Sequence, residues 1–253
     1  MPSTNSVPLH VTSLAQRPDL ADAMLNMEST WPPYVQPDPM LIHWVFERHP
    51  QFQLVVLDDE SRVVARAASI PVAWDGNDNS LLDNGWDGVL RQCMDDTYTG
   101  ATLNTLCAME IAIVPGHKAR HLSSHVLDAL KDAGRKAGFH NMIAPVRPSL
   151  KHTQPGLAMA EYIQHTREDG LPFDPWLRVH VRSGGRIVSV CPVSMTISGS
   201  LRQWRQWTGL PLDHSGQADV PGALSHLNVN TDHDHATYIE PNVWVHHPLT
   251  TAS

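Results

Sequence analysis

Two apolar segments joined by one amphipathic helix do most to limit what this 253-residue chain can fold into. Residues 105–114, TLCAMEIAIV, and residues 141–146, NMIAPV, are nearly uninterrupted apolar runs, the pattern of strands covered on both faces. Between them, from His121 to Lys136, Leu122, Val126, Leu130 and Ala133 recur at spacings of four and three and make one stripe. Arg135 and Lys136 fall in the last turn, where cations favour the helix dipole, and Gly138 follows as a terminating glycine. A strand–helix–strand unit of this size makes its two strands parallel neighbours.

The rest of the chain builds around that unit. Residues 18–28 and 38–48 read as helices, each opened by a proline, with Asp38 in the N-cap position of the second. Between them Trp31-Pro32-Pro33-Tyr34 is a stiff loop. Residues 52–57 and 62–74 form a hairpin about the turn Asp58-Asp59-Glu60-Ser61. Residues 86–94 add a short helix. Further on, 174–183 and 201–209 read as helices and 186–198 and 238–245 as strands, with Pro192 marking a bulge or a break. The expected fold class is α/β (α+β): a mixed, mostly antiparallel sheet flanked by helices, in one domain over 1–253 with a C-terminal elaboration from about 199 to 253.

Composition excludes several function classes. The net charge is −8 and Lys and Arg do not cluster, so a nucleic acid is not an expected partner. No run approaches the eighteen or so apolar residues of a membrane span, and the first residues lack a basic and then apolar leader. Cys93, Cys107 and Cys191 are far apart and odd in number, which argues against a disulfide framework and fits a reducing, cytoplasmic setting. Asp232-His233-Asp234-His235 and His246-His247 invite a metal reading. The first sits in an acidic, turn-like stretch where solvation suffices, so no metal is expected. No G-x-S-x-G elbow supports a hydrolase triad.

The apolar strand 105–114 runs into a turn with Pro, Gly and basic residues and then directly into the helix. Such a turn aims free backbone N–H groups and the positive end of a helix dipole at one spot, a ready site for a pyrophosphate. This segment and the order of elements resemble the GNAT acyltransferase superfamily. The stretches SIPVAWDG (69–76), APVRPSLKH (144–152), DGLPFDPWLRVH (169–180) and EPNVWVHH (240–247) are similar to an actinobacterial GNAT-like family, over roughly residues 40–248.

The resemblance implies that the parallel strand pair splays. It also implies that Ile113, Val114, Lys118, Ala119, Arg120, His121, Leu122 and Ser123 hold the pantetheine arm and phosphates of acyl-CoA or of a phosphopantetheine thioester. In place of R-x-x-G-x-G this chain reads Lys118-Ala119-Arg120-His121-Leu122-Ser123, with His121 and Ser123 where glycines are usual. A donor carried by an acyl carrier protein, with one phosphate, asks less of such a loop.

Glu110 is the only charge in an otherwise apolar or small stretch. Desolvation raises a carboxylate's pKa toward the range useful for a general base, the role a strand glutamate has in GNAT-like enzymes. The alternative is a structural carboxylate paired with an arginine such as Arg147. The family's acid tyrosine position reads Val181-Arg182-Ser183-Gly184-Gly185, which leaves His180, Arg178 and Tyr162 as nearby candidates. Arg147, Ser149 and Lys151 follow the strand 141–146 and face either donor, acceptor or solvent. Trp31, Trp74 and Trp176, with Trp86, Tyr162 and Phe173, are candidates for an acceptor pocket or for plain core.

The implied function is acyl transfer from a pantetheine thioester to an amine or hydroxyl of a small molecule, in specialised metabolism. One competing reading is a GNAT-like binding module with a decayed phosphate loop. Another keeps the thioester and performs condensation or decarboxylation.

Overall fold

The computed structural model describes residues 9–28, 31–115 and 122–249. In chain order they form β1 (His10–Ser13), α1 (Ala21–Leu25), α2 (Pro39–Arg48), β2 (Gln53–Leu57), β3 (Val63–Val72) and α3 (Gly85–Thr99). Then come β4 (Thr105–Ile113), α4 (Leu122–Lys136), β5 (Asn141–Val146), α5 (Met159–Tyr162) and α6 (Pro175–Arg182). Last are β6 (Arg186–Ser200), α7 (Leu201–Thr208), β7 (Gly216–Ala218), β8 (Leu227–Asn230) and β9 (His235–Pro248). The strands make one sheet in the order β1-β2-β3-β4-β5-β9-β8-β7, with β6 paired along β9. Pairing is antiparallel throughout except between β4 and β5, the two apolar runs joined by α4.

Helices cover both faces, and strand alternation divides the core between them. Leu106 and Ala108 of β4, Met142 and Ala144 of β5, and Val243 and Val245 of β9 pack with Val126, Leu127 and Leu130 of α4. The intervening Cys107, Ile143 and Trp244 pack on the other face with Val45 of α2 and Val89, Leu90 and Cys93 of α3. These stretches are therefore apolar at successive positions, because neither face meets water. All three cysteines are free and buried in this second layer. No helix of the described residues is long and apolar enough to cross a membrane.

Several boundaries differ from expectation. The first helix is a 3-10 turn, Pro18–Leu20, continued only to Leu25. The short helix at 86–94 runs from 85 to 99, its polar last turns held by Thr97 and Thr99 hydroxyls donating to Cys93 and Asp95 carbonyls. Strands β1, β7 and β8 are too short or too polar to stand out, and β9 begins three residues earlier than its apolar run. Of the two outcomes expected at Pro192, a bulge or a break, the strand shows a bulge: Cys191 faces Asn242, and the next pair is Met195 with Glu240.

Two buried polar contacts tie the C-terminal part to the sheet. Glu240 of β9 is fully buried and accepts from Arg147 Nε, the Tyr238 hydroxyl and Asn242 Nδ2. The guanidinium, just past β5, also donates to the Gly222 carbonyl. On the opposite end of β9, His247 Nε2 lies 3.0 Å from Nδ1 of His180 in α6, and both rings are buried. Burial, then the neighbouring charges of Lys131 and His246, push His247 down to about 4. Burial, then His247 and Lys131, push His180 well below the usual histidine range.

Removing Glu240 leaves the Arg147 charge buried without its counter-ion, so Glu240→Ala should cost roughly 3–5 kcal/mol, read from urea unfolding midpoints. The histidine pair gives stability a pH dependence. In the unfolded chain imidazoles take up protons near pH 6.5, whereas folded His247 does so only near 4. Between those values the unfolded chain holds more protons. Stability should be fully present above about pH 6.5 and should fall as pH drops toward 4, by about 3 kcal/mol from His247 alone. Urea titrations at several pH values should show this slope, shallower in His247→Asn; a slope unchanged in that variant would contradict the assignment.

Candidate active site

The parallel pair is short. Strands β4 and β5 meet only at Thr105 with Asn141, Leu106 with Met142 and Cys107 with Ile143, and then part. Past that point β4 stays with β3 and β5 with β9. Two local features go with the parting. Pro145 has no N–H to give to a ladder. In β4, Ala68 faces Glu110 and Ser69 faces Ala108, so Met109 is an extra, bulged residue whose carbonyl accepts from Trp86 Nε1 at 3.2 Å. A bulge re-aims the side chains beside it.

A cavity of about 640 Å³ opens where the strands part, between Ala108–Ile111 on one side and Ala144–Arg147 on the other. Ile113 and Ser123 line it at the end nearest the turn, as do Ser149, Trp176 and His180 from the C-terminal side. A second cavity, of about 280 Å³, lies between α2, α3 and β6. Trp31, Met109 and Glu110 line both. Glu110 therefore stands in the partition between them.

Glu110 is not the lone charge that its strand suggests. Arg66 Nε and Nη2 donate to its two oxygens at 3.0 Å each, and Arg66 Nη1 donates to the Met24 carbonyl. The register of β3 on β4 explains the choice: Ala68 faces Glu110, and Arg66 is the same-face residue two positions along. Arg147, the partner considered from sequence, is held by Glu240 instead. The missed signal was symmetrical, since Arg66 is likewise the only charge within the apolar strand β3. Each carboxylate oxygen keeps a further acceptor site when bound to a guanidinium fork.

The other candidates fall into two groups. Arg147 and Ser149 line the larger cavity, with the Arg147 guanidinium 5.8 Å from the centre of the Trp31 ring. His180 lines it too, edge-on to Trp176 at 4.9 Å, and stays a neutral imidazole for the reasons above. Leu122 is core, and Val114 continues the strand by donating to the Val64 carbonyl. Lys118, Ala119, Arg120 and His121 lie outside the described residues.

Tyr162 and Trp74 lie away from both cavities. The Tyr162 hydroxyl donates to Asp174, whose carboxylate also caps α6 by accepting from Trp176 and Leu177. Burial, then the Asp174 charge, push that hydroxyl far above its usual range, so it holds its proton. Trp74 donates to Ser80 and packs edge-on against His246. Lys151 is buried with its ammonium donating to the Gln154, Pro155 and Leu224 carbonyls. Among the described residues no three His, Cys, Asp or Glu side chains converge as metal ligands, and His246 bonds Asn141 and Arg186 while His247 meets His180. Arg66, Asp87 and Arg91 line the smaller cavity and were not singled out from sequence.

No family model matches the sequence. The chain is 31% identical over 269 residues to the arginine N-acetyltransferase avaD of Aspergillus versicolor, covering 93% of this chain and 92% of that protein. Among solved structures it resembles the loading GNATL domain of CurA from Lyngbya majuscula, with a TM-score of 0.61 at 17% identity over 97% of this chain and 98% of that one. It also resembles the GphF GNAT-like decarboxylase in complex with isobutyryl-CoA, with a TM-score of 0.59 at 15% identity over 96% of this chain and all of that one. The structural matches show the fold, and the sequence match carries the kinship across nearly the whole of both chains. The chain belongs to the GNAT superfamily and is an N-acyltransferase.

Proposed function

We propose that the larger cavity takes the thioester end of acyl-CoA and that the smaller one takes the amine of a small-molecule acceptor. The observation that carries this reading is Glu110, which lines both cavities at the partition between them. A donor entering from the splayed strands and an acceptor entering from α2 and α3 meet beside it. The arginine N-acetyltransferase of Aspergillus versicolor supports arginine, or a small molecule bearing an arginine group, as acceptor.

In this reading the acceptor ammonium gives up a proton to Glu110, directly or through a water. The freed nitrogen lone pair attacks the thioester carbon, the C–N bond forms, and the C–S bond breaks. The departing thiolate takes up a proton, so an acyl-nitrogen product, free thiol and one net proton result. Arg66 fixes the carboxylate by its two-point contact, which holds it in position beside the acceptor. His180, neutral and in the cavity wall, offers a hydrogen bond to the thioester rather than an imidazolium proton. A carrier-protein thioester would present the same pantetheine arm. Ser123, in the cavity wall where the family has glycine, favours that donor over free CoA.

Glu110→Gln keeps an acceptor oxygen for Arg66 but removes its counter-ion, so it should fold with reduced stability. It should lower turnover about 10²–10⁴-fold, with part of the loss recovered at high pH where the acceptor is already neutral. Turnover near wild type at neutral pH would remove Glu110 from the mechanism. Acetyl-CoA and the matching acetylated carrier protein should be compared as donors to the wild-type enzyme. A higher kcat/KM for the carrier assigns the donor to a protein partner, and equal or better use of acetyl-CoA excludes that assignment.

A further inference from the structure

Five charged side chains line the smaller cavity: Asp38, Arg66, Asp87, Arg91 and Glu110. Arg66 and Glu110 satisfy one another. Asp38 is exposed and caps α2 by accepting from the Met40 amide. Asp87 is different. It is half-buried in the first turn of α3, and one oxygen accepts from the Thr196 amide at 3.1 Å. Among the described residues no cationic nitrogen lies within ion-pair distance of it. Arg91, one turn along the helix, is exposed to solvent. Burial raises the Asp87 carboxyl above its usual range, opposed by the Thr196 amide and the Arg91 charge.

Another residue of the same wall carries an unsatisfied acceptor. Gln53 is fully buried and lines this cavity, and its amide nitrogen donates to the His49 and Ser69 carbonyls. Those two carbonyls fix which end is nitrogen, and the buried oxygen that remains has no hydrogen-bond donor among the described residues. A carboxylate without a cation and a buried carbonyl oxygen without a donor are both costly in an apolar wall. Leu41, Ile42, Val45 and Leu90 supply that wall.

We propose that Asp87 is the specificity-determining residue for a cationic, donor-rich group on an aliphatic stem, a guanidinium above all. A guanidinium has five N–H donors and no acceptor, which complements the carboxylate of Asp87. The apolar wall suits the stem, and Glu110 marks where the reacting nitrogen sits. This inference rests on the assignment of the smaller cavity to the acceptor.

L-Arginine and L-citrulline differ by charge and little in shape, so calorimetric titration of both in the presence of CoA isolates the charge. Wild type should bind arginine at least about tenfold more tightly. Asp87→Asn keeps an oxygen for the Thr196 amide, so the helix start is preserved. It should weaken arginine binding about ten- to a hundredfold, the range for a hydrogen-bonded charge pair, and leave citrulline within about twofold. With acetyl-CoA as donor, the loss should appear in KM for arginine with kcat nearly unchanged. Equal binding of the two ligands by wild type, a parallel loss of both in Asp87→Asn, or no loss at all would each overturn the proposal. If neutral amines are acylated better than arginine while Glu110→Gln still abolishes turnover, the cavity assignment survives and only the role of Asp87 falls. If Glu110→Gln is also without effect, both fall.

Discussion

The structure depends on a parallel strand pair that is allowed to meet and then required to part. At Thr105–Cys107 and Asn141–Ile143 the two strands share hydrogen bonds and seal the sheet centre. Beyond, each keeps only its outer neighbour. Backbone polar groups freed in this way must find water, a ligand or another part of the protein. The cost is tolerable because the gap is a cleft open to small molecules. Glu110, on the parting strand and beside the Met109 bulge, owes its place at the partition of two cavities to this one departure from regular pairing. A fully paired β4 and β5 would close the larger cavity and leave the glutamate in a solid sheet.

Charge placement follows the same economy. Arg66 with Glu110 and Arg147 with Glu240 are two arginine–carboxylate forks that flank the cleft. Both are largely withdrawn from water, and both stiffen groups that border the ligand space. Their paired charges balance the charged side chains that the described residues contribute to the larger cavity. The smaller cavity differs, because among the described residues Asp87 has no such partner and its field remains open to whatever enters.

Much of the sheet was legible because apolar period and burial coincide. The runs at 105–114 and 141–146 and the stripe from Leu122 to Ala133 are determined by which faces must avoid water, a property of each segment alone. Strands β1, β7 and β8 carry no such signature, since four residues or fewer cannot establish a period and their stability comes from neighbours. The site divided in a similar way. Lone charges in apolar strands can be seen in sequence, but their partners depend on register: Glu110 chose Arg66 across β3, not Arg147 across the splay. Aromatic type says little about direction. Trp176 faces the cleft, whereas Tyr162, fourteen residues earlier and just as apolar around it, turns its hydroxyl to Asp174.

The position of β9 bears on how the molecule is assembled during synthesis. This strand fills the middle of the sheet, touching β5, β6 and β8, yet it emerges about ninety residues after β5. Until it arrives, β5 presents an open edge of unpaired amides and carbonyls, flanked by Met142, Ile143 and Val146. Such edges recruit strands from other molecules, and long-range closure is slow. A nascent chain halted before residue 235 would thus hold most of its N-terminal sheet with its centre exposed. That interval is the one in which this edge is most open to mispairing.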